Sequence, residues 1–498
     1  MRTLRQFPAL AVLMLMASAL MLVPALHAAR LENWRVGRTF LYHGLFFAIL
    51  AVILGLAVAN RRPGNAARYH LTTLLLAYVM LPVMLAAPLA QLVPGLGIGK
   101  AYFEMLSSLT TTGATLFDNP RLLPEPLHMW RALVAWCGGL MILVAAFAVL
   151  APLNLGGFEV GERDASGLMG RRGGTVEETT ARAIRTALAI APVYALFTAT
   201  LALAMILAGD RPFVAACHAM AVLSTSGVSP VGGLAGGQSG LVGEMAIAVF
   251  LLVAVSHRFL TFDPRRARLA LVDPQVRLML ISVLGVTLLL FLRSFVGASD
   301  IDRQDNIVAA LRAVWGSLFT VLSYLTTTGF VSRDWLTMQL WSDLPAPGTI
   351  LLGVAIMGGG IATTAGGVKL LRIYALYRHG LREMDMLIHP SRVWPRGSGD
   401  SMITARGARV AFVFLMLFLV SIAGVMILLT ATGLAFEQSL VLAVAGLTTT
   451  GPAIRTLGDG LGYADLSDVA RAIFCVAMIV GRIEALVLIA LFNPSIWR

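Results

Sequence analysis

Thr110-Thr111-Thr112-Gly113, Ser224-Thr225-Ser226-Gly227, Thr326-Thr327-Thr328-Gly329 and Thr448-Thr449-Thr450-Gly451 are one phrase written four times along the chain. Each follows an apolar run too short to cross a bilayer, and the four glycines stand 114, 102 and 122 residues apart. Every interval therefore has room for two spanning helices and a re-entrant one, and fourfold recurrence of this kind marks a repeat architecture. A lone Thr-Thr-Thr-Gly is more often a helix end with glycine just past it; four copies in matching positions argue for one unit used four times. Four such loops can ring a single axis with backbone carbonyls that replace the water shell of a cation. Glycine reaches backbone angles closed to other residues and lets two backbones approach closely, and the hydroxyls serve as extra ligands or as hydrogen bonds to the loop behind. The candidate ion-binding residues are Thr111, Thr112, Gly113, Thr225, Ser226, Gly227, Thr327, Thr328, Gly329, Thr449, Thr450 and Gly451.

With 58% hydrophobic residues, 13% charged and a mean hydropathy of +0.82, the 498 residues make an all-α polytopic membrane protein rather than a string of soluble domains. The net charge of +12 comes from arginines clustered in short links between apolar spans, the pattern of cytoplasmic loops, and so does not point to nucleic acid. Cys137, Cys217 and Cys475 lie in apolar surroundings without paired spacing, so neither a disulfide framework nor a metal site follows. The eight histidines show no metal spacing. Gly95 to Lys100 lacks the glycine and the hydroxyl residue that a phosphate loop needs, and no hydrolase arrangement of serine, histidine and carboxylate stands out. No enzyme activity and no cofactor are expected.

In chain order, residues 1–69 form an N-terminal two-helix extension, whose first apolar run (8–27) reads equally as a signal peptide or a spanning helix. The repeats follow at 70–153, 154–260, 261–378 and 379–498. Each consists of a helix, a re-entrant pore loop and a second helix around one central pore, and the second helix of the third repeat is broken. The short re-entrant helices are expected over 101–109, 212–223, 307–325 and 436–447. Loops 154–183 and 379–409, with the residues flanking them, are read as cytoplasmic, with Arg163, Arg171, Arg172, Arg182 and Arg185 at the first and Arg372, Arg378, Arg382, Arg392, Arg396, Arg406 and Arg409 at the second. The filters then open to the outside, and each short helix turns its C-terminal end, carrying about half a negative charge, toward the axis.

At these residues the sequence resembles the Trk/Ktr/HKT superfamily of potassium transporters, in its bacterial TrkH-like branch. Leu109 to Thr115 and Thr326 to Phe330 are similar to the family pattern, and the resemblance covers essentially the whole chain. It implies K+ at the filter residues, potassium uptake across the bacterial inner membrane, homodimer assembly and a cytosolic nucleotide-binding, TrkA-like regulatory subunit. Two loops depart from the pattern: Ser226 and Val228 replace the usual glycine and phenylalanine, and Pro452-Ala453 lacks the usual second glycine. A sodium-permeable or unselective transporter of the same fold is the alternative these departures raise. A secondary carrier with inverted repeats is the alternative from another class.

Gly358, Gly359, Gly360, Thr363, Thr364, Gly366 and Gly367 interrupt an otherwise apolar span. A helix would be weak there, since each glycine costs about 1 kcal/mol relative to alanine. By resemblance this stretch is the intramembrane loop that obstructs the pore; the alternative is a glycine patch packed between helices. Arg482 sits near the middle of the last span, where a charge usually faces a cavity. By resemblance it completes the gate beneath the filter; pairing with Glu484, Glu437 or gate-loop carbonyls is the structural alternative. Glu104 and Glu437 are read as acidic first-turn residues of short helices, and Asp118, Asp334 and Asp459 as an outer vestibule or simple surface charge. The basic stretch Leu371 to Arg409 suits either the partner or anionic membrane lipid.

Overall fold

The structure, a computed structural model, describes residues 8–58, 66–153, 155–158, 176–259, 273–298, 307–335, 347–389, 405–456, 460–484, 487–488 and 491. Arg163, Arg171, Arg172, Arg392, Arg396 and Asp459 lie outside the described residues. Among those described, every regular element is helical. Helices α1 (Ala9–Leu20) and α2 (Leu22–Arg30) meet at Met21 and pack with α3 (Trp34–Val58) and α4 (Ala66–Leu92). Phe40 stacks edge-on to Trp130 at 5.6 Å in the core they share with the first repeat.

Four short helices carry the phrases: α5 (Gly97–Leu109), α8 (Pro212–Leu223), α11 (Ile307–Leu325) and α15 (Phe436–Leu447). Their flanking helices are α6 (Glu125–Ala145), α7 (Val176–Leu207), α9 (Gly240–Leu251), α10 (Pro274–Ala298), α12 (Pro347–Met357), α13 (Leu370–Ile388), α14 (Ala405–Thr430) and α16 (Asp468–Ile483). Helix starts follow local chemistry. Pro212 and Pro126 sit in the first turns of α8 and α6, where the missing N–H is not needed, and the Ser467 hydroxyl caps α16 by accepting from Ala470 N at 3.2 Å.

Seven helices among the described residues are long and apolar enough to cross a membrane, against ten crossings expected from the sequence. The other three are the second helices of repeats two, three and four, which lose helical geometry on the way. After α9 comes a 3-10 turn, Leu252–Ala254; α12 stops at Met357; and α16 ends where Glu484 takes a φ of +70°. Even the first repeat switches from α to π geometry at Ala146–Leu150. Only the third break was legible as glycine, so the interruption at Glu484, with the last span expected to continue to Phe492, corrects the sequence reading. Two loop assignments also change: Arg182 and Arg185 lie on α7, while Arg372, Arg378 and Arg382 lie on α13 and Arg406 and Arg409 on α14.

Candidate functional site

All four phrases end their helices in one way. In the first, Thr110 N donates to Leu106 O (2.8 Å), Thr111 N to Ser108 O (2.9 Å) and Thr112 N to Ser107 O (2.9 Å). The same steps of four, three and five residues recur at 224–226, 326–328 and 448–450. This is the Schellman ending, whose left-handed residue is usually glycine. Here it is Thr111, Thr225, Thr327 and Thr449, with φ of +55°, +53°, +57° and +56°. A β-branched residue in that region is strained, and strain repeated four times at one position is the mark of a functional constraint.

The first and third hydroxyls of each phrase are tied together: Thr110 to Thr112 at 2.8 Å, Ser224 to Ser226 at 3.0 Å, Thr326 to Thr328 at 3.2 Å and Thr448 to Thr450 at 3.0 Å. Ser226, a departure from the family pattern, thus keeps the hydroxyl role of its counterparts. With the N–H groups spent on the helix behind, the carbonyls are left over. Among the described residues no hydrogen bond reaches the carbonyl of Thr111, Gly113, Thr225, Ser226, Gly227, Thr327, Thr328 or Gly329. The threonines and serines of the phrases are buried, Gly113 and Gly227 half-buried, and a buried carbonyl without a partner is costly.

The glycines close the phrases into a ring. A Cβ on Gly113 would strike the carbonyl of Ser226, one on Gly227 the carbonyl of Thr328, one on Gly329 the ring of Pro452, and one on Gly451 the backbone of Gly113 and Ala114. Contact therefore runs from the first loop to the second, third, fourth and back to the first. The fourth loop joins differently: Gly451 N donates to Thr112 O at 2.6 Å and opens a 3-10 turn, Gly451–Thr456. That is where Pro452, the other departure, finds its place.

Below the ring lies the glycine-rich stretch, an irregular loop buried throughout 358–369 rather than a packed helical patch. Its polar groups are met by the second and third repeats, as non-helical chain at membrane depth requires. Gly360 N donates to Ala254 O (3.1 Å), Ile361 N to Gln275 Oε1 (2.8 Å), Gly366 N to Thr327 Oγ1 (2.8 Å), and the Thr364 hydroxyl to Leu223 O (3.1 Å). A Cβ on Gly366 would strike Thr448 O, so this loop touches the fourth phrase itself. Arg482, 5% exposed, donates to Thr364 O at 2.6 Å, while among the described residues its Nε and Nη2 meet no hydrogen-bond partner. Of the pairings open in the sequence, the one with a carbonyl of the glycine-rich loop is formed.

Lys369 and Arg372 were not singled out by the sequence, yet both are buried beside Arg482 and Glu484. Lys369 Nζ donates to Ala365 O, and Arg372 meets Glu484 at 2.7 Å over the face of Phe414. Removing one member of so buried a pair costs about 3–5 kcal/mol. Glu484→Leu is therefore expected to lower the unfolding temperature in detergent sharply, and Arg372→Leu/Glu484→Leu to recover much of it; equal loss in both would refute the pairing.

Glu104 corrects the sequence reading. Because α5 starts at Gly97, Glu104 lies inside the helix, fully buried and paired with Arg131 at 2.6 Å, and is no first-turn acid. Glu437 does open α15, exposed. Asp118 is exposed and Asp334 half-buried beyond the filters. Among the described residues no His, Cys, Asp and Glu cluster suited to a metal ion forms.

The sequence pattern of TrkH, described as a cation transport protein, matches residues 42–233 and 245–498. The chain belongs to the TrkH family. It is 30% identical over 492 residues to the Trk system potassium uptake protein TrkH of Halomonas elongata, covering 96% of this chain and 89% of that one. It is 28% identical over 496 residues to the protein of the same name from Escherichia coli, covering 98% and 97%. The crystal structure of the potassium transporter TrkH from Vibrio parahaemolyticus superposes with a TM-score of 0.80 at 25% identity, covering 99% of this chain and all of that one. These relatives are named as transporters rather than enzymes, and the all-helical membrane architecture expected from the four phrases is that of the family.

Proposed function

We propose that this chain is the pore subunit of a potassium uptake system. The observation that carries the proposal is the closed ring of four loops, each with a left-handed threonine and three of them with runs of carbonyls that no described donor reaches. A cation shedding its water supplies what those carbonyls lack, and the C-terminal ends of α5, α8, α11 and α15 add partial negative charge. The twelve residues from Thr111 to Gly451 nominated above form the filter and take K+. The loop Gly358–Gly367 and Arg482 form the gate beneath it. The filters face outward and the arginine-rich links face the cytoplasm of a bacterium, by the positive-inside tendency. The chain works as a homodimer with a cytosolic, nucleotide-binding, TrkA-like subunit, the arginines of α13 offering charge to that partner or to anionic lipid. Potassium and the word system in the names of the relatives support this reading.

The test is cation entry into proteoliposomes. K+ and Rb+ are expected to enter at similar rates, with Na+ slower by on the order of tenfold or more. Equal entry of all three would favour the unselective transporter. No movement of any monovalent cation, even with the stretch 358–367 deleted, would favour the carrier.

A further inference from the structure

We infer that Glu104 and Glu244 are positioning residues for selectivity, each holding the outgoing strand of one filter loop. The inference rests on the filter reading above.

Two acids from unrelated places make the same contact. Glu104, in the short helix of the first repeat, accepts from the Thr115 hydroxyl and from Leu116 N, both at 2.9 Å, and from Arg131. Glu244, on α9 of the second repeat, accepts from the Ser332 hydroxyl at 2.7 Å, from Arg333 N at 2.8 Å and from Trp315 Nε1 at 2.9 Å. In each case a buried carboxylate, 0% and 3% exposed, takes a hydroxyl and the next backbone N–H just beyond a filter glycine, and a third donor comes from a helix. Three donors fill most of the acceptor sites of a buried carboxylate and fix it in place.

The braced loops are the first and third, which face each other across the ring. Next to their glycines the other two are held by neutral groups, and a charged donor enters only farther out, where Arg455 of the fourth loop donates to Gly232 O of the second at 2.8 Å. His218 contacts the Ser229 hydroxyl at 2.8 Å, and the Tyr463 hydroxyl donates to Gly451 O at 2.7 Å. A strand held by charge-assisted bonds moves less than one held by neutral bonds, so one opposed pair of filter carbonyls is stiffer than the other. Discrimination between ions of similar charge depends on carbonyls keeping their separation, and the stiff pair sets it.

The acids themselves sit in networks whose loss can unfold the chain, so the test also removes single donors. Thr115→Val and Ser332→Ala each delete one bond to the carboxylate and leave the ion pair and the helices intact. Entry of K+ and Na+ is measured in proteoliposomes for wild type, Thr115→Val, Ser332→Ala and Glu244→Gln, with Ser332→Thr as the conservative rescue. The K+/Na+ ratio is expected to fall by about fivefold to tenfold in the first three variants and to return toward wild type in Ser332→Thr. A purely structural role would lower yield and thermal stability and leave the ratio of the folded fraction unchanged; that outcome overturns the inference. If the wild type itself shows no preference for K+, the filter reading fails first and takes this inference with it.

Discussion

Gly113→Ser is expected to destroy the preference for K+. At Gly113 two penalties coincide, a φ of +75° and a missing Cβ whose place is taken by the carbonyl of Ser226. Placing a side chain at left-handed backbone angles costs roughly 1–2 kcal/mol, and forcing atoms into a filled site costs typically about 1–3 kcal/mol more. The carbonyl that must yield is one of the proposed ion ligands, so the strain is relieved by moving that ligand. Combined penalties of about 3 kcal/mol correspond to on the order of a hundredfold in rate. Uptake of K+ should fall by up to that factor while Na+ loses much less, so that the two rates converge. Gly424→Ala is the control, since a Cβ there meets nothing within 4 Å on the lipid-facing side of α14. A folded Gly113→Ser protein that still separates K+ from Na+ as the wild type does would remove the carbonyl ring from the mechanism.

That glycine was legible in the sequence because its signal is local and repeated. The short helices 212–223, 307–325 and 436–447 fall where the sequence reading puts them, because proline, glycine and an abrupt end of the apolar run punctuate them. What the sequence hid was the residue that turns the chain. A helix stop followed by glycine suggests that glycine takes the left-handed angle, and Gly113, Gly227 and Gly329 do, yet Thr111, Thr225, Thr327 and Thr449 take it as well, two residues earlier. Local propensity forbids this choice, and only the packing of four loops around one axis imposes it.

The same limit explains Glu104 and Arg372. Glu104 looks like a helix-start acid when the helix is begun at Ala101; its partners lie 11, 12 and 27 residues away and no spacing rule connects them. Arg372 looks like one more loop arginine until its partner 112 residues on is seen. Nor does Glu484 carry any sign that α16 stops there. Contacts between repeats made these decisions, and a single sequence does not write them down.

Arg482 is the charged member of the proposed gate. Its guanidinium is tied to Thr364 O, Thr364 is tied to Leu223 O at the end of α8, and Gly366 is tied to the hydroxyl of Thr327. One positive charge thus stands a single loop away from the proposed ion ligands. An ion about 8 Å from a unit charge meets a barrier of about 2 kcal/mol at an effective dielectric constant near 20. Removing the charge should therefore raise K+ flux without any regulatory partner by about thirtyfold. Arg482→Gln removes the charge but keeps a polar group for Thr364 O, whereas Arg482→Lys keeps the charge on a less constrained stem. If the barrier is electrostatic, the glutamine variant conducts and the lysine variant stays near wild type. If the barrier is the loop itself, both conduct about as much as a chain lacking 358–367. If neither variant nor the deletion raises flux, Arg482 and the buried loop are structural, and the closure must lie elsewhere along the axis.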